Sequence, residues 1–228
     1  MVHPAETAKR VLFSENGAVG VQEKSPIPGD PIIVVPPVGR SDMNMASMRD
    51  WINSQGHPAF DSGIEKGDIR DPRGDILRII ARIDEVFEET GREITMIGLS
   101  LAGIYVFVSA MYRPEKIRRV ILIGTPIRRH IAEAAKGRYK EIAKAIINGN
   151  RSYDSFLSAI PITSMPFDYN LICMYTRDDE AFDWKDCSGD KRSNMDIEVD
   201  GPHRNLYRNP KVFEKITSVL KTPIDKAA

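Results

Sequence analysis

Apolar residues along this chain follow two patterns in turn: short unbroken runs, and longer stretches where they recur every three or four positions. PIIVVPP (31–37), ITMIG (94–98), RRVILIG (118–124) and YNLICMYT (169–176) are unbroken runs rich in β-branched residues, the signature of strands buried on both faces. Between them, NMASMRDWINSQ (44–55) spaces Met45, Met48, Trp51 and Ile52 by three and four and meets Gly56, which predicts an amphipathic helix with a glycine stop. Residues 75–90 set Ile76, Ile79, Ile80, Ile83, Val86 and Phe87 on one stripe, closed by Gly91. Further helices are predicted over about 101–112, ending before Pro114, and in PKVFEKITSVL near the C-terminus. HPAFDSGI and MDIEV read as two short strands. RVLFSE and AVGVQE flank Asn16-Gly17, a hairpin signal.

Strands and helices alternate along most of the chain, and the central strands are apolar throughout. This predicts an α/β fold with a mostly parallel central sheet covered by helices on both faces. At 228 residues one domain, 1–228, suffices to bury the core. The more polar helical text at about 126–168 breaks the alternation and reads as an insertion between two strands, short enough for a minimal cap. No internal repeat or low-complexity segment is visible.

Composition narrows the partners. The chain is 42% hydrophobic and 28% charged, with 32 basic and 32 acidic residues, so no basic excess points to nucleic acid or an anionic membrane. The pairs Arg118-Arg119 and Arg128-Arg129 read as solvated surface. Two cysteines, Cys173 and Cys187, are too few for a disulfide framework and suit free thiols. No run has the length of a signal peptide's apolar core or of a membrane span, so a cytoplasmic location is expected.

Candidate chemistry centres on Gly98-Leu99-Ser100-Leu101-Ala102-Gly103, where an apolar strand meets a helix. A serine hydroxyl is a weak nucleophile and needs a base to take its proton, with N–H donors for the charge that develops on an attacked carbonyl. A sharp strand-to-helix turn exposes the hydroxyl and sets the next N–H at a helix N-terminus. Such a turn needs small neighbours, which Gly98, Ala102 and Gly103 supply. The pattern approaches G-x-S-x-G, with Ala102 at the fifth position. A triad on this kind of sheet runs in the order Ser, acid, His. Of four histidines, His3 is N-terminal, His57 precedes Ser100 and His130 follows strand 118–124 too closely. His203, between the strand at 195–199 and the last helix, stands where the base is required. The acid is Asp178 or Asp179, at the end of the strand LICMYT.

With these residues in place, the chain resembles the α/β-hydrolase superfamily, and within it small bacterial esterase/lipase-like proteins. Those carry segments like I-Y-S-R-x-D-G-x-V-x-W-x-x-C and I-E-V-x-G-S-H. The corresponding text here is MYTRDDEAFDWKDC (174–187) and IEVDGPH (197–203), with Tyr175, Arg177, Asp179, Trp184 and Cys187 in matching places. The resemblance spans about 31–220 and selects Asp179 as the acid. It makes Cys187 a packing residue. It implies oxyanion donors at the backbone N–H groups of Val38 and Leu101, although VPPVGR stands where the family has V-H-G-F-G-G. Arg40, Met43, Met45 and the 126–168 insert would line the substrate. Glu180 replaces the family's glycine after the acid, and Pro202 its serine before the histidine.

The implied activity is hydrolysis of carboxylic esters through an acyl-enzyme on Ser100, with His203 as base, Asp179 as its partner, a small-molecule ester as substrate, and no cofactor or metal. A thioesterase or acyltransferase would use the same triad, and a C–C hydrolase or a cofactor-free haloperoxidase the same fold. A catalytically retired binding protein is the reading from a different class. The glycines at 98–103 do not fit a nucleotide site: the spacing fails G-x-G-x-x-G, and no Lys-Ser/Thr pair follows.

Overall fold

The computed structural model describes residues 29–65, 71–149, 170–189 and 193–223, with the backbone of 10–13 and 19–22. Asn16-Gly17, His3 and residues 150–168 of the predicted insert lie outside the described residues. Two strands, β1 (Arg10–Phe13) and β2 (Val19–Gln22), pair antiparallel.

The unbroken apolar runs form the centre of a second, six-stranded sheet. Its strands are β3 (Ile32–Val35), β4 (Ala59–Phe60), β5 (Ile94–Leu99), β6 (Ile117–Ile123), β7 (Asn170–Tyr175) and β8 (Met195–Glu198). They lie in the order β4-β3-β5-β6-β7-β8, every neighbouring pair parallel. Alternate side chains explain why the runs are continuous. Ile33 and Val35 of β3, with Val120 and Leu122 of β6, enter one core cluster. Ile32 and Val34, with Ile121 and Ile123, enter the other. A residue at either parity loses its water, so apolar side chains dominate both; Thr95 of β5 is an exception, buried with its hydroxyl unpartnered among the described residues.

Helices α2 (Pro72–Thr90) and α3 (Ala102–Tyr112) contribute to the first cluster. Asp71 caps α2 by accepting from the Gly74 N–H at 2.9 Å, and Gly91 closes it in the left-handed conformation at φ 64°. Helix α3 is buried from Ala102 to Ala110, which is why its sequence shows no polar face. On the other side lie α1 (Ala46–Ser54) and α7 (Pro210–Lys221). The predicted helix at 44–55 begins as a 3₁₀ turn, Asp42–Met45, before α1. Met45, Met48 and Ile52 are buried, while Trp51 stays partly exposed against Phe213 and donates to Thr217 Oγ1 at 3.1 Å. HPAFDSGI yields only the two-residue edge strand β4. In the insert, α4 (Ile131–Ala134) and α5 (Gly137–Gly149) are described. The helix α6 (Trp184–Cys187) follows β7.

The basic pairs are not simply solvated surface. Arg119 is 3% exposed and donates to the Thr222 carbonyl at 2.8 Å, because its position on β6 faces inward beneath the end of α7. Arg118 pairs with Asp30 and Arg129 with Asp186. Cys173 and Cys187 are both buried free thiols, as expected for packing residues, and burial pushes both pKa values up.

One ion cluster fastens α2 to the link between α3 and β6. Asp84 receives Arg113 through Nε at 2.7 Å and Nη2 at 2.9 Å, and Lys116 Nζ at 2.5 Å. The Arg113 fork, against some burial and aided by Lys116, lowers the Asp84 pKa to about 2. A carboxyl that ionises more readily when folded stabilises fully above its unfolded value, about pH 4, and loses that contribution as pH falls toward 2. Asp84→Asn is therefore expected to cost about 1–2 kcal/mol at neutral pH, discounted for partial exposure, and almost nothing near about pH 2. Urea unfolding of both proteins at the two pH values checks this.

Candidate active site

Because all six strands run the same way, their C-terminal ends and following loops collect on one edge of the sheet. Ser100 follows β5, Gly124 and Thr125 follow β6, Asp179 follows β7 and His203 follows β8.

Ser100 sits at φ 55°, and among the described residues no other non-glycine has a positive φ. That left-handed backbone is strained for a residue with a Cβ and is held by its neighbours. The Ser100 N–H donates to the Ile123 carbonyl at 2.8 Å, and the Thr125 hydroxyl donates to the Ser100 carbonyl at 2.8 Å. The turn is crowded where small residues were predicted. A Cβ on Gly98 would lie 2.6 Å from Gly103 Cα, and one on Gly103 would lie 2.0 Å from Thr125 Oγ1. The crowding thus falls on Gly103, one place beyond the usual glycine, while Ala102 occupies the fifth position buried in the core.

His203 bridges the other two candidates. Its Nε2 is 2.9 Å from Ser100 Oγ, and its Nδ1 is 2.8 Å from Asp179 Oδ2. A carboxylate at Nδ1 fixes the proton there and leaves Nε2 as an acceptor toward the serine hydroxyl. The Asp179 side chain is fully buried, and its other oxygen accepts from the N–H groups of Ala181 and Phe182, each at 2.8 Å. A buried carboxylate so satisfied is held in one orientation. Asp178, exposed, faces away; the structure brings Asp179 to the histidine.

The imidazole is boxed in. Phe182 meets it edge-on with ring centroids 5.2 Å apart, and Tyr139 from α5 does so at 6.1 Å. Beneath it lies Gly124 at φ 58°, where a Cβ would come 3.0 Å from His203 Nδ1. Glu180 holds the loop: its carboxylate accepts from the His203 N–H at 2.8 Å and the Arg204 N–H at 3.3 Å. The glutamate that departs from the family pattern therefore fastens the loop carrying the acid to the loop carrying the histidine. On the outer surface the Trp184 ring stacks on Tyr175 and lies under Arg177, which pairs with Glu198. This gives the shared motif residues a bracing place around the acid loop.

A cavity of about 370 Å³ opens over Ser100, lined by Pro37, Val38, Leu99, Ile123, Leu206 and Tyr207 and by three arginines. Val38 lines it, and Leu101 is the N-cap of α3. Neither backbone N–H has an acceptor among the described residues. Asp42 anchors the far end of the Val38 loop, accepting from Ser62 N–H, Ser62 Oγ and Ile64 N–H at 2.8–3.1 Å. Arg40 lines the cavity as expected, and so do Arg138 and Tyr139 of the insert. Met43 and Met45 do not: Met45 turns into the core under β3, and Met43 points to solvent. Among the described residues no group of His, Cys, Asp and Glu could hold a metal, and no helix is long and apolar enough to cross a membrane. His57 and His130 do not line the cavity: His57 Nδ1 sits 3.3 Å from the Asp30 carbonyl and His130 Nδ1 accepts from the Ala132 N–H at 3.4 Å.

No family model matches the chain, and no curated protein matches it in sequence. Solved structures match it in shape. An α/β superfamily hydrolase from Oenococcus oeni superposes with a TM-score of 0.62 at 12% identity, over 85% of this chain and 94% of that one. The chain has the α/β-hydrolase fold. A lipase from Bacillus licheniformis gives 0.60 at 15% identity, over 87% and 94% of the two chains. A thioesterase domain from the curacin biosynthetic pathway gives 0.55 at 13%, over 94% and 100%.

Thr125, Phe182 and Gly124 carry no sequence signal of their own; only their contacts with Ser100 and His203 reveal them. Gly103→Ala is expected to push Thr125 off the Ser100 carbonyl and to overpack the turn, at a cost of about 2–4 kcal/mol. The shift in urea midpoint at constant slope measures it.

Proposed function

We propose that this chain is a serine hydrolase of carboxylic esters working through an acyl-enzyme on Ser100. The observation that carries the reading is one imidazole held between a serine hydroxyl at 2.9 Å and a buried carboxylate at 2.8 Å, under an open cavity. The lipases and the thioesterase among its structural neighbours support acyl transfer as the class of reaction.

In the first step Ser100 Oγ bonds to the ester carbonyl carbon while its proton passes to His203 Nε2. The carbonyl oxygen takes the electron pair and is stabilised by the N–H groups of Val38 and Leu101. Asp179 orients the imidazole and stabilises its positive charge without taking its proton. As the intermediate collapses, the bond to the alcohol oxygen breaks and His203 gives that oxygen its proton. Water then enters by the same route: its proton goes to Nε2, its oxygen bonds to the acyl carbon, and the acid departs as Ser100 recovers a proton. The described part of the insert acts as a cap through Tyr139 of α5, which closes one wall of the cavity.

A cavity of this size fits short to medium acyl chains. Hydrolysis of 4-nitrophenyl esters from acetate to dodecanoate is expected to show an optimum within that range. Ser100→Ala is expected to reduce kcat at least about 1,000-fold, and Asp179→Asn by a comparable factor. Equal rates for wild type and Ser100→Ala on every ester would contradict the reading. Labelling of Ser100 by a fluorophosphonate, blocked in the variant, reports the activated hydroxyl independently of the ester chosen.

A further inference from the structure

The rim of the cavity over Ser100 carries Arg40, Arg138 and Arg204, and among the described residues no carboxylate lines it. In a chain with 32 basic and 32 acidic residues this is a local excess of positive charge at the place where a substrate would enter. All three arginines are exposed, so their guanidinium groups are available to a ligand.

Two of them stand beside the imidazole. Arg204 follows His203 in the chain. The Arg138 guanidinium lies over the Tyr139 ring at 5.2 Å, and that ring meets His203 edge-on. Arg138 Nη2 also donates to the Tyr139 hydroxyl at 3.4 Å; stacking fixes the plane of a guanidinium, and its remaining N–H groups suit paired recognition of an oxyanion. Glu180 is the acid nearby, but its oxygens are engaged by the backbone N–H groups of His203 and Arg204, and Arg204 Nη1 reaches it only at 3.4 Å. Among the described residues, one such carboxylate against three guanidiniums leaves the rim positive.

The position of these groups relative to the reacting atoms assigns the charge to one half of the substrate. A departing alcohol oxygen takes its proton from His203 Nε2, so the alcohol half lies on the histidine's side of Ser100, where Arg138 and Arg204 stand. We propose that the substrate's alcohol half carries an oxyanion, a carboxylate or a phosphate, bound by Arg138 and Arg204 with Arg40 adding to the field from the Val38 loop. This rests on the ester-hydrolase reading above.

The test compares butyrate esters of one nitrophenol bearing a ring carboxylate, a ring phosphate or a neutral carboxamide. For at least one oxyanion, kcat/KM is expected to exceed that of the carboxamide by about ten-fold at low salt, and the advantage to shrink in about 0.5 M NaCl. In Arg138→Gln/Arg204→Gln the ratio of charged to neutral ester falls toward one. Glu180→Gln keeps an acceptor for the His203 N–H but removes a negative charge, and raises the ratio. A neutral ester preferred or equal in wild type, or a ratio unchanged in the double variant, overturns the proposal. Calorimetric binding of the same three esters to Ser100→Ala separates the two readings. If wild type hydrolyses none of them, tighter binding of an oxyanion that is lost in Ser100→Ala/Arg138→Gln/Arg204→Gln sustains the anion site and tells against the hydrolase reading. Equal binding of all three compounds tells against the anion site. Neutral 4-nitrophenyl butyrate compared with 4-nitrophenyl hemisuccinate, which carries a carboxylate on the acyl side, checks the assignment: preference for an anion there alone also overturns it.

Discussion

The left-handed backbone at Ser100 is the constraint around which this edge of the molecule is built. A residue with a Cβ at φ 55° costs of order 1–3 kcal/mol and persists only where its surroundings leave no alternative. Here those surroundings are Gly98 and Gly103 in near contact, the Ile123 carbonyl taking the Ser100 N–H, and Thr125 tethering its carbonyl. Gly98 and Ile123 lie on central strands, Thr125 just after β6 and Gly103 in the first turn of α3, so the strain is carried by buried parts of the fold. Relaxing the turn would swing the hydroxyl away from His203 and lose the core contacts that α3 makes as it leaves the turn.

The histidine is fixed by an opposite strategy. Nothing about its backbone is strained; it is surrounded. Asp179 and Glu180, adjacent in sequence, hold it from two sides, one through the ring and one through the main chain. Phe182 and Tyr139 flank the ring, and bare backbone at Gly124 makes room beneath it. Precision at the serine comes from a rigid turn, and precision at the histidine comes from many modest contacts acting on an ordinary loop.

The sheet and the candidate triad were legible in the sequence because both follow from one-dimensional regularities. Strands buried on both faces must be apolar at every position, as in 94–98 and 118–124. The order serine, acid, histidine follows from which strand ends each loop leaves. What escaped depends on contacts between distant segments. Arg119 looks like surface in a pair of arginines, yet its place on β6 turns it under α7. Met45 sits at helical spacing with Met48, which is why it belongs to the core instead of the cavity. Glu180 reads as a departure from a pattern until the His203 N–H is seen to end on it. The rim arginines lie in three separate segments, at 40, 138 and 204, and a neutral overall charge conceals them.

Glu180 has a consequence for how such a protein can change over time. The same carboxylate sets the posture of the histidine loop and offsets part of the positive charge at the cavity mouth. If the proposed reaction and anion site hold, a substitution there alters the speed of the chemistry and the taste for charged substrates in one stroke. Neither trait can drift independently through this position, so a lineage moving toward neutral substrates would be expected to lose its arginines first and keep the glutamate.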